Sequence, residues 1–286
     1  MMPLVEDTLF GITDKVQIAI DRLRAFEPPE GYYLAFSGGK DSQVIYHLAI
    51  EAGVKFDAHN NHTTVDPPEL VAFVRKNYPE VIIDKPRYTM WQLIVKKSQP
   101  PTRKARYCCA ELKERGGRGR IVVTGVRWAE SSNRRNSRAV AEIIGKTKAK
   151  TMLLNDNEEN RRLFESCTLK GKRVINPIID WQDADVWEYL NGRGIEHCCL
   201  YDEGFTRLGC IGCPLAGGPH MELEFKRWPK YKKGYIRAFD RMLAAKIKRG
   251  GTSDWKTGEE VMQWWLKKPD KTADQESLFE EDEGNV

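Results

Sequence analysis

The sequence predicts an α/β protein, a doubly wound, mostly parallel sheet carrying a helical C-terminal appendage. Three observations predict it. Short apolar runs alternate with helical patterns, each near the length expected of its kind. One of those runs, Tyr32–Phe36, passes through a glycine turn straight into a helical pattern. The 286 residues, 41% apolar and 30% charged, suffice for the core of one large domain and a smaller region.

The first element is an amphipathic helix over 13–26, with Thr13 as its cap and Val16, Ala19, Ile20, Leu23 and Phe26 as one apolar stripe. Glu27-Pro28-Pro29-Glu30-Gly31 breaks it. The apolar run at 32–36 reads as a buried strand, and Val44, Ile45, Leu48 and Ala49 mark the core face of a helix over 40–52. Residues 54–58 read as a second strand, which puts His62 and Thr64 just past its C-terminal end, where an open α/β sheet presents groups to its crevice. Asp66 is the expected cap of a helix carrying Leu70, Phe73 and Val74; Val81-Ile82-Ile83 is a third strand, and Trp91, Leu93, Ile94 and Val95 belong to another helix. A basic stretch, 102–107, then leads into Cys108-Cys109, and Arg120–Arg127 reads as a buried strand after a turn at 116–119.

Residues 139–172 break this rhythm and read as an insertion with a hairpin. The pattern resumes at Val174–Ile179, and Asp183 is the expected cap of a helix over Ala184–Leu190. Past Pro214 the chain reads as helical, first strongly basic and then, around Val261–Leu266, apolar. This divides the chain into an N-terminal helix (1–30), a central α/β domain bearing the cysteines (31–218), a basic helical region (219–270) and an acidic, disordered tail (271–286).

Net charge is +5, but the six carboxylates of 274–286 offset a body near +11, which suits a polyanionic partner: a nucleotide, an adenylyl sulfate or a nucleic acid. Solubility alone is the plainer explanation. No apolar run approaches the roughly 20 residues of a bilayer span, and the N-terminus has no signal-peptide core, so no membrane partner and a cytoplasmic location are expected.

The stretch Phe36-Ser37-Gly38-Gly39-Lys40-Asp41-Ser42 has the parts needed to hold an anion. Glycines let backbone N–H groups approach a phosphate, the helix start adds unpaired donors, and Lys40 adds a full charge. It is not the common P-loop, because Leu34 stands where the first glycine belongs and Asp41 follows Lys40 where a hydroxyl should. It resembles the Ser-Gly-Gly-x-Asp-Ser pyrophosphate loop of the ATP pyrophosphatase and adenylyl-sulfate reductase superfamily. That resemblance implies ATP or an adenylyl sulfate as ligand, with Mg2+. Lys40, Asp41 and Arg127 would be the catalytic candidates. Asp41 would orient the loop or bind the magnesium, and Arg127, emerging from a strand end, would clamp the phosphate or sulfate. The plainer readings are a helix-start charge and a surface ion pair. Gly125 joins the loop, His62 and Thr64 as a candidate nucleotide contact, although a lone histidine at a strand end is more often structural.

Seven cysteines cluster as Cys108-Cys109, Cys198-Cys199 and Cys210-x-x-Cys213, with Cys167 alone. In a reducing compartment this points to metal rather than disulfides. Thr124-Gly125-Val126-Arg127, Asn176-Pro177-Ile178-Ile179-Asp180-Trp181 with Asp185-Val186-Trp187, and Tyr201-Asp202-Glu203-Gly204-Phe205 before Cys210 form an ordered series. Together they resemble the phosphoadenylyl-sulfate and adenylyl-sulfate reductases over residues 30–220. The family's second arginine after Thr-Gly-x-Arg is Trp128 here.

The cluster-bearing branch of that family uses a Cys-Cys pair and a later Cys-x-x-Cys. The resemblance therefore implies a 4Fe-4S cluster, with zinc as the alternative, drawn from Cys108, Cys109, Cys198, Cys210 and Cys213. Cys108, Cys210 and Cys213 would be joined by Cys198 in one arrangement and by Cys109 in the assimilatory one. No cysteine follows Cys213, so the C-terminal nucleophile of the assimilatory enzymes is missing unless Cys167 or Cys199 substitutes.

The first expectation is thus an adenylating ATP pyrophosphatase in sulfur transfer or nucleic-acid modification, working with a sulfur donor or reductant protein. The form of the Cys108-Cys109 segment also resembles the adenylating subunit of DNA phosphorothioation systems and reductase-like proteins of phages. The second expectation is a sulfate-adenylate reductase with a relocated cysteine. The third is a non-catalytic nucleotide- or nucleic-acid-binding partner in a multi-protein system. The basic-aromatic stretch 226–241 has the composition of a nucleic-acid surface, although its aromatics read slightly better as core. Arg134, Arg135 and Arg138 suit an anion site or a solvated face equally.

Overall fold

Residues 4–8, 11–144, 150–153 and 172–267 are described by a computed structural model of the chain. They divide into two compact units. The first draws on 1–62, 67–85 and 113–209, and the second on 63–66, 86–112 and the residues from 210 onward.

The first unit opens with a hairpin of β1 (Val5–Thr8) and β2 (Gly11–Asp14), followed by α1 (Lys15–Ala25). The cap of α1 is Asp14 rather than Thr13. The helix begins one residue later than the apolar stripe suggests, and the Asp14 carboxylate accepts the N–H groups of Val16 and Gln17 at 2.9 and 3.1 Å. There follow β3 (Tyr32–Ala35), α2 (Lys40–Ala52), β4 (Phe56–Asn61), α3 (Pro68–Asn77) and β5 (Ile82–Asp84). α3 has no side-chain cap, since the Asp66 carboxylate instead accepts from the Thr63 N–H and hydroxyl. After α4 (Met90–Lys97) and α5 (Tyr107–Leu112), both of the second unit, the first unit resumes. It continues with β6 (Ile121–Val123), α6 (Ser132–Ser137), β7 (Ala141–Ile144), β8 (Lys150–Leu153), β9 (Lys172–Ile175) and α7 (Asp183–Gly192).

Seven strands form one sheet in the order β5-β4-β3-β6-β9-β7-β8. β5, β4, β3, β6 and β9 run parallel, while β7 is antiparallel to both β8 and β9. The expected fold is therefore observed, and the hairpin expected in the insertion is the β7–β8 pair. Tyr32, Tyr33 and Leu34 of β3 and all of β6 are buried, as central strands covered on both faces must be. From β3 the chain proceeds to β4 and β5 on one side, then returns to β6 and β9 on the other. The reversal lies between β3 and β6, and the crevice of such a sheet opens there, beyond the strands' C-terminal ends.

The second unit contains α4 and α5 with α8 (Gly218–Arg227), α9 (Pro229–Lys248) and α10 (Gly258–Leu266). Its core is aromatic: Tyr235 of α9 packs 4.6 Å from Trp91 and 4.8 Å from Trp265, ring centre to ring centre, and Phe239 lies 5.4 Å from Trp265. Of the aromatics of the basic stretch, Trp228, Tyr235 and Phe239 are thus interior and Tyr231 is half-buried. No helix among the described residues is long and apolar enough to cross a membrane. The acidic tail and Cys167 lie outside the described residues.

Candidate functional site

Between β3 and α2 the loop is shaped from both sides. Phe36 donates its N–H to His59 O at 2.9 Å, and its ring is buried against Tyr46 and Tyr78, so the chain stays extended past the strand. Gly38 then turns with φ +80°, and a Cβ there would stand 2.4 Å from Val74 Cγ2 of α3. Only glycine satisfies both the backbone and the packing. The Ser42 hydroxyl donates to Gly39 O at 2.8 Å and lies 3.2 Å from Ser37 Oγ, which closes the turn from within.

The loop's donors are largely uncommitted. Among the described residues the N–H groups of Ser37, Gly38 and Asp41 have no partner, and that of Gly39 reaches Ser37 Oγ only at 3.4 Å. The Lys40 N–H donates to the Tyr201 hydroxyl at 2.9 Å. The loop borders a cavity of about 200 Å3, although Phe36, Gly38 and Lys40 are not among the residues that line it. Ser37, Gly39, Asp41 and Ser42 line it from the loop, Gly125 lines it from the end of β6, and Tyr201 and Arg207 line it from the segment before Cys210. A Cβ on Gly125 would lie 2.8 Å from the Asp41 carbonyl oxygen, so the end of β6 meets the start of α2 at backbone distance.

Behind the loop runs an ion network built on two buried cations, Arg127 and Lys40. Arg127, 2% exposed, donates from Nε to Asp41 at 2.7 Å, from one terminal nitrogen to Asp183 at 2.8 Å and from the other to Trp181 O at 3.3 Å. Lys40 Nζ lies 3.2 Å from both Asp183 and Thr206 O and 3.7 Å from Asp41. Asp183 is therefore not the helix cap; Gln182 precedes α7, and the Asp183 carboxylate serves the two cations instead. Burial works against its ionised form, but Lys40 and Arg127 outweigh that and hold it below the usual carboxylate range. Arg127 sits as a strut between Asp41 and Asp183.

Arg207 and Glu130 bring opposite charges to the cavity lining. Arg134 is ion-paired with Glu130, and burial together with Arg138 and Arg207 depresses its guanidinium. Arg138 is tied to Glu142 at 2.7 Å and Arg135 is exposed. Trp128, in place of a second arginine, donates its indole N–H to Arg138 O at 2.8 Å. Neither His62 nor Thr64 lines the cavity: the His62 N–H donates to Asp84 O, and Thr64 Oγ1 accepts from Met90 N–H. Sequence reasoning missed Tyr201, Arg207 and the electrostatic use of Asp183. The segment carrying the first two was legible only as a motif without roles.

In the second unit Cys108 and Cys109 stand on α5, and Cys210 and Cys213 flank a turn pinned by three hydrogen bonds. Ile211 N–H donates to Val65 O at 2.8 Å, Gly212 N–H to Glu224 Oε2 at 2.7 Å, and the Tyr235 hydroxyl to Ile211 O at 2.8 Å. The Cys108 thiol is pushed up by its hydrogen bond with Cys109 and by burial, then by the fields of Cys109, Cys210 and Cys213. Cys198 belongs to the first unit, where burial pushes its thiol up to about 11; its neighbour Cys199 is exposed. Among the described residues no three His, Cys, Asp or Glu side chains converge to hold one ion. In donor type and number, the four thiols of the second unit fit an iron–sulfur cluster, whose thiolates bind separate irons and stand further apart than ligands of one ion.

The family profile described as phosphoadenosine phosphosulfate reductase domain matches residues 31–216. An adenosine 5'-phosphosulfate reductase of Staphylococcus haemolyticus is 22% identical over 206 residues, covering 69% of this chain and 76% of that protein. A probable FAD synthase of Schizosaccharomyces pombe is 25% identical over 211 residues, 72% of this chain and 69% of that protein. A phosphoadenylyl-sulfate reductase structure from Candida auris has a TM-score of 0.46 at 19% identity and covers 68% of this chain and 89% of that one. The chain spans about half or less of the length of the first curated relatives it matches, from Escherichia phage 186 and Methanocaldococcus jannaschii: 44%, 55% and 39%.

Proposed function

Because the chain belongs to the phosphoadenosine phosphosulfate reductase domain family, we propose that it binds ATP at the Ser37–Ser42 loop and cleaves the α–β bond. An acceptor oxygen attacks the α-phosphorus, the acceptor leaves as its adenylate, and pyrophosphate departs with the electron pair of the broken P–O bond. The observation that carries this reading is the set of unpartnered amides at Ser37, Gly38 and Asp41, in a loop whose Ser37, Gly39, Asp41 and Ser42 line a cavity at the sheet's switch point. Amides held in place before the reaction need no reorganisation as charge grows on the leaving pyrophosphate. Lys40 adds a cation at the helix start, Asp41 is the candidate magnesium ligand, and Arg127 positions Asp41. The likeness to a probable FAD synthase supports adenylyl chemistry.

Cys108, Cys109, Cys210 and Cys213 would hold a 4Fe-4S cluster, which would supply electrons or a sulfur-binding iron when bound. This set is supported by the fields of Cys109, Cys210 and Cys213, all of which act on the Cys108 thiol; zinc is the alternative group. Release of labelled pyrophosphate from ATP, with nucleic acid and small thiol-accepting substrates as acceptors, tests the reaction. ATP binding with turnover is expected; failure of ATP to bind overturns it.

A second reading, reduction of an adenylyl sulfate, is supported by the exposure of Cys199 and the likeness to an adenosine 5'-phosphosulfate reductase. The Cys199 thiolate would attack the sulfate sulfur and expel AMP, and a dithiol reductant would release sulfite from the S-sulfocysteine. Sulfite production from adenylyl sulfate with thioredoxin, lost in Cys199→Ser, would favour it over ATP cleavage.

A further inference from the structure

The basic stretch that composition singles out is not used by the nucleotide site, and its structure assigns it a different ligand. Within 210–267, twelve lysines and arginines stand against six carboxylates. On α9 they are ordered. Lys230, Lys233, Arg237, Arg241 and Lys248 follow one another at intervals of three, four, four and seven residues, which keeps them on one face of a helix with 3.6 residues per turn. All five are exposed. Arg241 donates from Nε to Arg237 O at 3.2 Å, and none of the five has a carboxylate partner among the described residues. The one acid of α9, Asp240, is engaged by the Gly258 N–H at 2.6 Å. The opposite face, Tyr235, Ala238, Phe239, Met242 and Leu243, is buried in the unit's core.

We propose that this ridge of α9 is a binding surface for the backbone of a nucleic-acid duplex. Its length matches the ligand: eighteen residues at about 1.5 Å each give roughly 27 Å, the rise of about eight base pairs. The absence of stacking groups selects the duplex. A single-strand surface needs exposed aromatic rings between its cations; here Trp228, Tyr235 and Phe239 are buried, and Tyr231 is half-buried with its hydroxyl donating to Asp66 O at 3.0 Å. An anionic membrane is disfavoured because the ridge has no apolar wedge. Ile247, the strongly exposed apolar side chain of α9, lies about 100° around the helix from Lys248.

Five neutralised phosphates give a slope of log affinity against log salt near −4.5, so binding weakens about 500-fold between 50 and 200 mM NaCl. The test is fluorescence anisotropy with a mixed-sequence 20-base-pair duplex across that range. Full-length protein is compared with K233A/R237A/R241A and with a charge-matched control, K55A/R75A/K76A, altered at exposed positions of the first unit. The ridge variant is expected to lose only about 12-fold over the same range, a slope near −1.8, while the control keeps the steep slope. Far-UV circular dichroism establishes that both variants fold. Equal slopes in the wild type and the ridge variant overturn the proposal. So do an equal effect of the control, tighter binding of a 20-nucleotide single strand, or binding of phosphatidylserine vesicles in place of the duplex.

Discussion

Arg127 decides between two accounts of the loop, and Arg127→Met separates them. If the guanidinium is a strut, its removal costs stability whether or not a nucleotide is present. The contact to Asp41, made at 2.7 Å from a side chain 3% exposed, is a charge-assisted bond worth about 1.5–3 kcal/mol. The contact to Asp183 is discounted to about 1 kcal/mol or less because that carboxylate is 60% exposed and can rehydrate. Asp41 is not stranded, since Lys40 Nζ remains 3.7 Å away, so the loss falls at or below the low end of the 3–5 kcal/mol typical of a broken buried pair. The sum is about 3 kcal/mol. With a urea slope of about 2 kcal/mol/M, the unfolding midpoint should fall by about 1.5 M in the ligand-free protein. A double-mutant cycle with Asp183→Asn should return a coupling of about 1 kcal/mol. Urea melts followed by tryptophan fluorescence, paired with ATP titrations, make the measurement. A midpoint within about 0.3 M of the wild type, together with abolished ATP binding, would refute the reasoning, because Arg127 would then be a ligand clamp and no strut.

Tyr201→Phe frees the Lys40 N–H, and pyrophosphate should bind about 2- to 10-fold more tightly in isothermal titration, the value of one net hydrogen bond; weaker binding would show that the hydroxyl contacts the ligand. Anaerobic iron and sulfide analysis should give four irons per chain in Cys198→Ser and a marked loss in Cys109→Ser and Cys210→Ser, and the reverse order would assign Cys198 to the cluster. Stability should fall in two steps as pH is lowered. Burial holds His47 below its ordinary 6.5, so the unfolded chain takes up a proton first and stability declines below about pH 6.5. Glu51, Asp57 and Asp183 are held low by arginine and lysine partners, so their contribution is present above the usual carboxylate range and is lost as pH falls through their folded values. Urea midpoints from about pH 2 to 8 check this, and His47→Gln should remove the upper step alone.

The strand–glycine–helix of 32–52 was legible because each of its signals is local. The apolar run, the glycine that needs φ +80° and the helix stripe all act within twenty residues. The ion network was not, because Arg127, Asp41 and Asp183 become neighbours only when β6 pairs with β3 on one side and β9 on the other. Read alone, Asp183 before an apolar-periodic run is a helix cap, and nothing in its neighbours marks a distant cation competing for it. The same limit applied to the thiols. Spacing brought Cys210 and Cys213 together, but that Cys108 lies within the electrostatic reach of both was legible only once α5 and the Cys210 turn were folded. On α9 the structure shows the core reading of the aromatics at 235 and 239, because a 3.6-residue period sorts a mixed sequence by face. Aromatics at 235 and 239 go inward and cations at 233, 237 and 241 go outward, so a composition resembling a stacking surface becomes a bare row of charge. A row of that kind can follow a phosphate backbone but cannot stack on bases, which makes the salt slope rather than the base sequence the quantity that should govern its affinity.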